Sequence, residues 1–354
     1  MMPYDQSFKQ TFKQAMMKRL KTILLITAML TLAHWATAQR PLPIIDMHLH
    51  SINVDANGPV PTGVGRGNPG YPDFDPEKPW IQTFMHFMAN PNGENPIMSP
   101  MTNDELRDQT LEILKRRNIY GVTSGNRLDE YIEHGGDHII TSWMPPGHID
   151  NWPPPAEVRK MLETGKYRVF GEVTLAYQGI SPNDPRLAPY LEILEELDIP
   201  LGIHIGTGPP GVSYFPGINN HLARMHSAFE IEEVAIRHPR LRINLMHAGW
   251  PLADHLIAVL WNHPQVYADV GVICFVLPRE AFHDYLKRIV QAGFHRRIMF
   301  GSDQMNWPGA IEEGITAIET ATFLTEEQKR DILYNNAARF LRLSQEEIDG
   351  HHGR

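Results

Sequence analysis

The sequence predicts an α/β protein, a (β/α)8 TIM barrel with a long loop insertion after strand one and an added C-terminal helix. Two observations predict it. Eight short apolar runs recur from residue 41 onward, and amphipathic stretches separate them. Runs that are apolar throughout suit strands buried on both faces of a parallel sheet, and strands alternating with helices at this length suit a barrel. An open doubly wound sheet is the alternative, but no phosphate-binding glycine fingerprint follows the first strand.

The strands are expected at residues 44–48, 119–123, 138–143, 168–175, 200–205, 241–247, 266–270 and 297–301. Helices are expected at 102–118, 184–197, 221–237, 252–261, 279–292 and 310–320. The first of these opens on T-N-D-E, a capping box in which Glu105 reaches back to Thr102. Residues 325–343 read as the appended C-terminal helix. Residues 51–101 are rich in Gly, Pro and Asn and read as a structureless loop. Following strand one, this loop belongs at the catalytic face of a barrel, as a cap or substrate lid.

The chain has 354 residues, 42% hydrophobic and 21% charged, enough for a full core in one large domain. The N-terminus has the pattern of a cleavable signal peptide over residues 1–38. Lys18, Arg19 and Lys21 precede an apolar run from Ile23 to Ala33, and Ala36-Thr37-Ala38 precedes Gln39. The apolar run is too short for a permanent anchor, so no stable membrane anchor is expected. Met16 and Met17 stand just before the basic residues and offer an alternative start, which would leave residues 1–15 outside the translated protein. A periplasmic or secreted location follows, with residues 39–354 as a single domain. The lone cysteine, Cys274, has no partner for an internal disulfide and is expected as a small buried apolar residue. Residues 1–38 hold five Lys/Arg and one Asp, so their removal moves the net charge from −9 to −13. Such a chain is a poor partner for nucleic acid, and a small-molecule substrate is expected. A homo-oligomer is compatible with the sequence.

The chemistry is concentrated at predicted strand ends. P-L-P-I-I-D-M-H-L-H-S places His48 and His50 at i and i+2, which aims both imidazoles to one side of a strand. Strand four carries Glu172, strand five His204, strand six ends at His247, and strand eight leads through F-G-S-D to Asp303. Each has an ordinary explanation taken alone: a satisfied core histidine, a helix cap, an arginine partner. Taken together they converge on one barrel mouth, where buried imidazoles and carboxylates need partners. A divalent cation satisfies them most simply.

These motifs resemble the amidohydrolase superfamily: I-D-M-H-L-H, G-I-H, M-H-A-G and F-G-S-D, in that order. More narrowly the chain is similar to the amidohydrolase-related branch that includes aminocarboxymuconate-semialdehyde decarboxylase, and N-N-A-A-R-F-L (residues 335–341) resembles that branch's C-terminal helix. The resemblance implies that His48, His50 and Asp303 hold a first metal. In one-metal members His204 completes the site and His247 orients water or polarises substrate. In two-metal members His204 and His247 bind a second ion, and a carboxylated lysine or a glutamate bridges the pair. Strand four has no lysine, and Glu172 stands there instead, as a bridge or as an inner acid beside one ion. An imidazole-rich site suits Zn2+, with Mn2+ and Fe2+ as alternatives.

The implied reaction is hydrolysis of an amide, lactone or ester by metal-activated water. Asp303 acts as base and then acid, and His247 stabilises the oxyanion. Decarboxylation of a small unsaturated or aromatic acid is the alternative, and a metal-binding, non-catalytic barrel is a third. A decarboxylase needs a cationic carboxylate clamp and flat apolar walls. Arg66 and Arg127 are the clamp candidates, and Trp143, Tyr177 and Trp250 the wall candidates.

Overall fold

A computed structural model describes residues 16–18, 40–66, 70–93, 95–218 and 220–354. The chain divides into two units, Met1–Pro41 and Leu42–Arg354. Apart from residues 16–18, the leader segment lies outside the described residues. No helix among the described residues is long and apolar enough to cross a membrane.

The second unit opens with β1 (Ile44–His50), buried at every position. An insertion follows, carrying a two-residue antiparallel pair, β2 (Gly63–Val64) and β3 (Ile97–Met98). The remaining barrel strands are β4 (Ile119–Ser124), β5 (Ile139–Trp143), β6 (Val169–Val173), β7 (Leu201–His204), β8 (Ile243–Met246), β9 (Val266–Asp269) and β10 (Ile298–Met299). They pair in parallel in the order β1-β4-β5-β6-β7-β8-β9-β10, each beside its neighbour in sequence. The last and first strands then meet. Met47 N–H donates to Phe300 O (2.9 Å) and Asp303 N–H donates to His48 O (2.7 Å). The Asp46 carboxylate ties the same seam, accepting from Ser302 N–H (2.8 Å) and His48 N–H (3.0 Å). All eight expected strands form, most of them shorter at their ends.

Register is broken twice, and each break falls at a residue singled out from the sequence. Three steps along β1 from Asp46 to Leu49 oppose two along β4 from Gly121 to Thr123. Likewise three steps from Phe170 to Val173 on β6 oppose two from Leu201 to Ile203 on β7. An extra residue bends a strand and re-aims its side chains. His48 and Glu172 sit within these bulges. Gly171 is required beside Glu172, because a Cβ there would lie 2.6 Å from Gly202 O.

The helices are α1 (Trp80–Ala89), α2 (Asn103–Arg117), α3 (Leu128–Gly135), α4 (Pro155–Glu163), α5 (Ala188–Glu196), α6 (Glu232–Arg237), α7 (Ala253–Asn262), α8 (Ile273–Val276), α9 (Arg279–Gln291), α10 (Gly309–Glu319), α11 (Glu326–Arg330), α12 (Asn336–Leu341) and α13 (Gln345–His352). The capping box at Thr102 and Glu105 is present as expected. Apolar faces seat the helices on the barrel. On α9, Phe282, Leu286 and Ile289 recur at helical spacing and are fully buried, each contributing roughly 1.5–3 kcal/mol.

Three expectations are corrected. Residues 51–101 are not structureless, because Trp80, Phe84 and Met88 recur at i, i+4 and form the buried face of α1. Residues 221–237 are not one helix. Ser227 has extended backbone and its hydroxyl accepts from Phe229 N–H, so the segment splits into two short 3-10 turns before α6. The C-terminal segment passes from α11 to α12 through a π turn at Asp331–Asn335, and α3, α4, α8 and α13, like α1, are additional to the expected helices.

Candidate metal centre

The side chains at the strand ends meet in one buried cluster. His48 and His50 lie on β1, Glu172 on β6, His204 at the end of β7, His247 just beyond β8 and Asp303 beyond β10. His247 and Asp303 both have positive φ, 64° and 50°. Such backbone is uncommon for residues bearing a Cβ and is tolerated where the surroundings hold it. Here the seam hydrogen bond from Asp303 N–H to His48 O holds Asp303. Gln304 pins His50 from the same turn, accepting from its N–H (2.9 Å) and donating to its carbonyl (2.6 Å).

Glu172 stands between two pairs of imidazoles. Its Oε2 lies 3.6 Å from His48 Nε2 and 3.7 Å from His50 Nε2. Its Oε1 lies 2.6 Å from His204 Nδ1 and 3.5 Å from His247 Nε2. Asp303 Oδ1 is 2.9 Å from His50 Nε2 and 3.6 Å from His48 Nε2, while its Oδ2 is 3.7 Å from His247 Nδ1.

Backbone carbonyls decide what the inner rings present. His204 Nε2 faces Gly206 O (2.9 Å) and His247 Nδ1 faces Gly271 O (3.0 Å). A carbonyl only accepts, so both of these nitrogens carry protons. When the rings are neutral, His204 Nδ1 and His247 Nε2 are therefore lone pairs, 2.9 Å apart, with Glu172 Oε1 beside them. Three acceptors this close require a positive charge among them. A proton on one of the rings, or a bound cation, would supply it. Burial opposes that charge, but Glu172 and Asp303 outweigh it and raise the His247 pKa above 6.5. His204 is lowered by burial and by His247.

The outer half has the same need. Both ring nitrogens of His48 and of His50, and Asp303 Oδ1, are buried without a hydrogen-bond partner. Burial disfavours charge on His48, yet Asp303, Asp269 and Glu172 together raise its pKa well above 6.5. Glu172 is held well below the usual carboxylate range: burial would raise it, but His48, His204 and His247 prevail. Buried, unpartnered imidazoles and carboxylates of this kind fit a divalent cation. Three ligand trios have atoms within 4.8 Å of one another: His48, His50 and Glu172; Glu172, His204 and His247; and His48, His247 and Asp303.

A family model described as amidohydrolase matches residues 45–343. The chain belongs to the amidohydrolase family. No curated protein matches its sequence. Among solved structures it is similar to an uncharacterized TIM-barrel protein from Bordetella bronchiseptica, at 17% identity, 88% of this chain, 100% of that one and a TM-score of 0.53. It is also similar to a probable 2-pyrone-4,6-dicarboxylic acid hydrolase from Acinetobacter baumannii, at 13% identity, 85% and 99% coverage and a TM-score of 0.52. A third is 5-carboxyvanillate decarboxylase from Novosphingobium aromaticivorans, complexed with manganese and 4-hydroxy-3-methoxy-5-nitrobenzoic acid, at 14% identity, 86% and 97% coverage and a TM-score of 0.53. At these identities the likeness is one of fold.

In this amidohydrolase a cavity of about 620 Å3 opens from His204, His247 and Asp303 toward the insertion. Tyr177 and Trp250 line it, but three other residues picked out from the sequence do not. Trp143 is half-buried and packs on Phe170 of the apolar core at 5.0 Å between ring centroids. Arg66 pairs with Glu313 at 3.1 Å, and Arg127 pairs with Glu130 on α3. Both guanidiniums are engaged by carboxylates, and no lysine or arginine lines the cavity among the described residues. Tyr177 lies 4.8 Å from the His204 ring, and its hydroxyl makes no hydrogen bond among the described residues. Burial, reinforced by Glu172 and Asp303, pushes the Tyr177 pKa well above 10, so it stays a neutral donor.

Asp269 is a site residue that sequence reasoning missed. It ends β9, and its Oδ1 lies 3.6 Å from His48 Nδ1 while accepting from the N–H groups of Gly271 and His247. Its Oδ2 accepts from Asn244. The signal was present: V-Y-A-D-V places an acid at the seventh strand end, the same position as the other candidates. The apolar α1 wall was missed with the helix itself.

Proposed function

We propose that this amidohydrolase is a metal-dependent hydrolase that splits an ester, lactone or amide bond of a small molecule with water. One observation carries the reading: the two oxygens of Glu172 face two different histidine pairs, as a carboxylate bridging two cations would. His48, His50 and Asp303 would hold one ion and His204 and His247 the other, with Glu172 able to serve both. Zn2+ suits the imidazoles best, and Mn2+ or Fe2+ are the alternatives. A bound divalent ion supplies Lewis acidity toward a carbonyl oxygen and a deprotonated water near neutral pH.

The chain's own groups supply the rest. Asp303 sits where the cluster opens to the cavity; it takes the proton from water and passes it to the leaving oxygen or nitrogen. Tyr177 donates its O–H to the carbonyl oxygen as charge develops there. Trp250 and the apolar face of α1 keep bulk water from the reacting bond.

Decarboxylation is the second reading, favoured by the likeness to 5-carboxyvanillate decarboxylase. The names of that relative and of the pyrone hydrolase both denote carboxylic acids, whereas among the described residues this cavity has no lysine or arginine to meet a carboxylate away from the cluster. That weighs toward hydrolysis of a neutral bond. The deciding experiment is metal content per chain, by elemental mass spectrometry, for wild type and Glu172→Ala purified without chelator. About two ions falling to one supports the bridge. A single ion in both proteins removes the bridging role and puts decarboxylation level with hydrolysis.

A further inference from the structure

We propose that the substrate is an uncharged, largely apolar ester or lactone whose hydrophobic arm lies beneath α1. The inference rests on the hydrolase reading and deepens it. Away from the cluster, the cavity wall is built from Val64, Phe84, Met85, Met88, Phe215 and Leu277. Among the described residues that line it Asp303 is the only acidic one, and Arg66 and Arg127 are paired with Glu313 and Glu130 instead. A carboxylate, phosphate or ammonium on the distal arm would be buried there without a counter-charge, which is strongly unfavourable. An apolar arm instead gains from every contact. The volume of about 620 Å3 admits an arm much larger than an acetyl group.

The insertion is fastened over this space rather than draped near it. Trp80 Nε1–H donates to Pro210 O (2.8 Å), and the Phe84 and Phe215 rings lie 5.0 Å apart. Next to Phe215, the Tyr214 ring lies tilted against Phe74 at 5.7 Å, and the two are 67% and 46% exposed. Aromatic side chains this exposed offer an apolar molecule a landing surface. Unbranched methionines at 85 and 88 let the wall adjust to the shape of the arm.

The test compares 2-naphthyl acetate with 6-carboxy-2-naphthyl acetate on the metal-loaded, full-length protein. Both have the same scissile bond; water adds to the acetyl carbon, the aryl oxygen leaves with a proton, and acetate forms. The neutral ester is expected to have a kcat/KM at least about 100-fold higher. Met85→Arg, a wall substitution outside the cluster, is expected to narrow that ratio by at least about 10-fold. Equal or better turnover of the carboxylated ester overturns the proposal. If neither ester reacts, the hydrolase reading fails, and the substrate class is judged on binding alone. For that, 2-acetylnaphthalene and 6-acetyl-2-naphthoate are titrated against tryptophan fluorescence of the metal-free protein. Tighter binding of the neutral ketone, by at least about 10-fold, upholds the apolar cavity. Comparable binding of the two, or binding of neither, overturns it.

Discussion

His204 Nδ1 and His247 Nε2 face each other at 2.9 Å, and each ring gives its other N–H to a backbone carbonyl, Gly206 O or Gly271 O. The carbonyls thereby turn two lone pairs toward one carboxylate oxygen of Glu172. Second contacts of this kind set the tautomer of a metal-binding histidine and the basicity it offers. The cluster is thereby arranged as a candidate cation site in the metal-free chain.

Asp303→Ala should leave a folded barrel and lower kcat by about 10²–10⁴-fold, the usual contribution of a general base. Circular dichroism and steady-state kinetics on the metal-loaded variant check it. Wild-type kcat in a variant shown to lack the carboxylate would make the proposed proton route wrong.

Tyr177→Phe removes one hydroxyl and little volume. Because that hydroxyl has no partner among the described residues, stability should stay within about 0.5 kcal/mol while kcat drops about 10²-fold. A loss confined to KM would place the hydroxyl in ground-state binding instead.

Gly171→Ala forces a Cβ to within 2.6 Å of Gly202 O and 2.9 Å of Gly202 Cα, both backbone atoms that have little room to yield. The expected cost is about 1–3 kcal/mol. Since Glu172 is the next residue, metal occupancy should fall as well. Thermal melts and elemental analysis read both effects; an unchanged melt with full occupancy would show that the bulge relaxes freely.

His226 tests the acid limb of stability. Burial, then the charges of His204, His221 and His247, push its pKa down to about 3 from 6.5. The unfolded chain binds this proton more readily, so the native state is fully favoured above 6.5 and loses ground as pH falls toward 3. The slope is about 1.4 kcal/mol per pH unit. Urea unfolding of metal-free protein at about pH 7 and 5 should show a shallower pH dependence for His226→Gln, by roughly 2 kcal/mol over that interval. Identical slopes would assign the acid sensitivity to other groups.

We propose that residues 1–38 are a cleaved leader, which N-terminal sequencing of protein recovered outside the cytoplasm tests. Cleavage after Ala38 leaves Gln39 as the first residue. An intact N-terminus would mean an uncleaved segment.

Much of the fold was legible because the relevant patterns are local. Alternating buried strands and helical repeats are written within ten residues, and all eight barrel strands follow from them. The α1 helix was legible too, in W-x-x-x-F-x-x-x-M, but the surrounding Gly, Pro and Asn obscured it. The loss of Arg127 as a clamp had a local signal in Glu130, three residues on. The loss of Arg66 had none, because Glu313 lies on α10, far away in sequence.

By itself the sequence determined which groups reach the barrel mouth: paired imidazoles on one strand, single imidazoles on two others, and acids at strand ends. Period-two side-chain direction requires only neighbours, so this needs no tertiary information. The tertiary structure decided how those groups act on one another. Bulges at His48 and Glu172, the seam between Asp303 and His48, and the carbonyls of Gly206 and Gly271 set distances and proton positions. It also decided that the wall beyond them is apolar, because burial and ion pairing depend on which distant segments the closed barrel brings together.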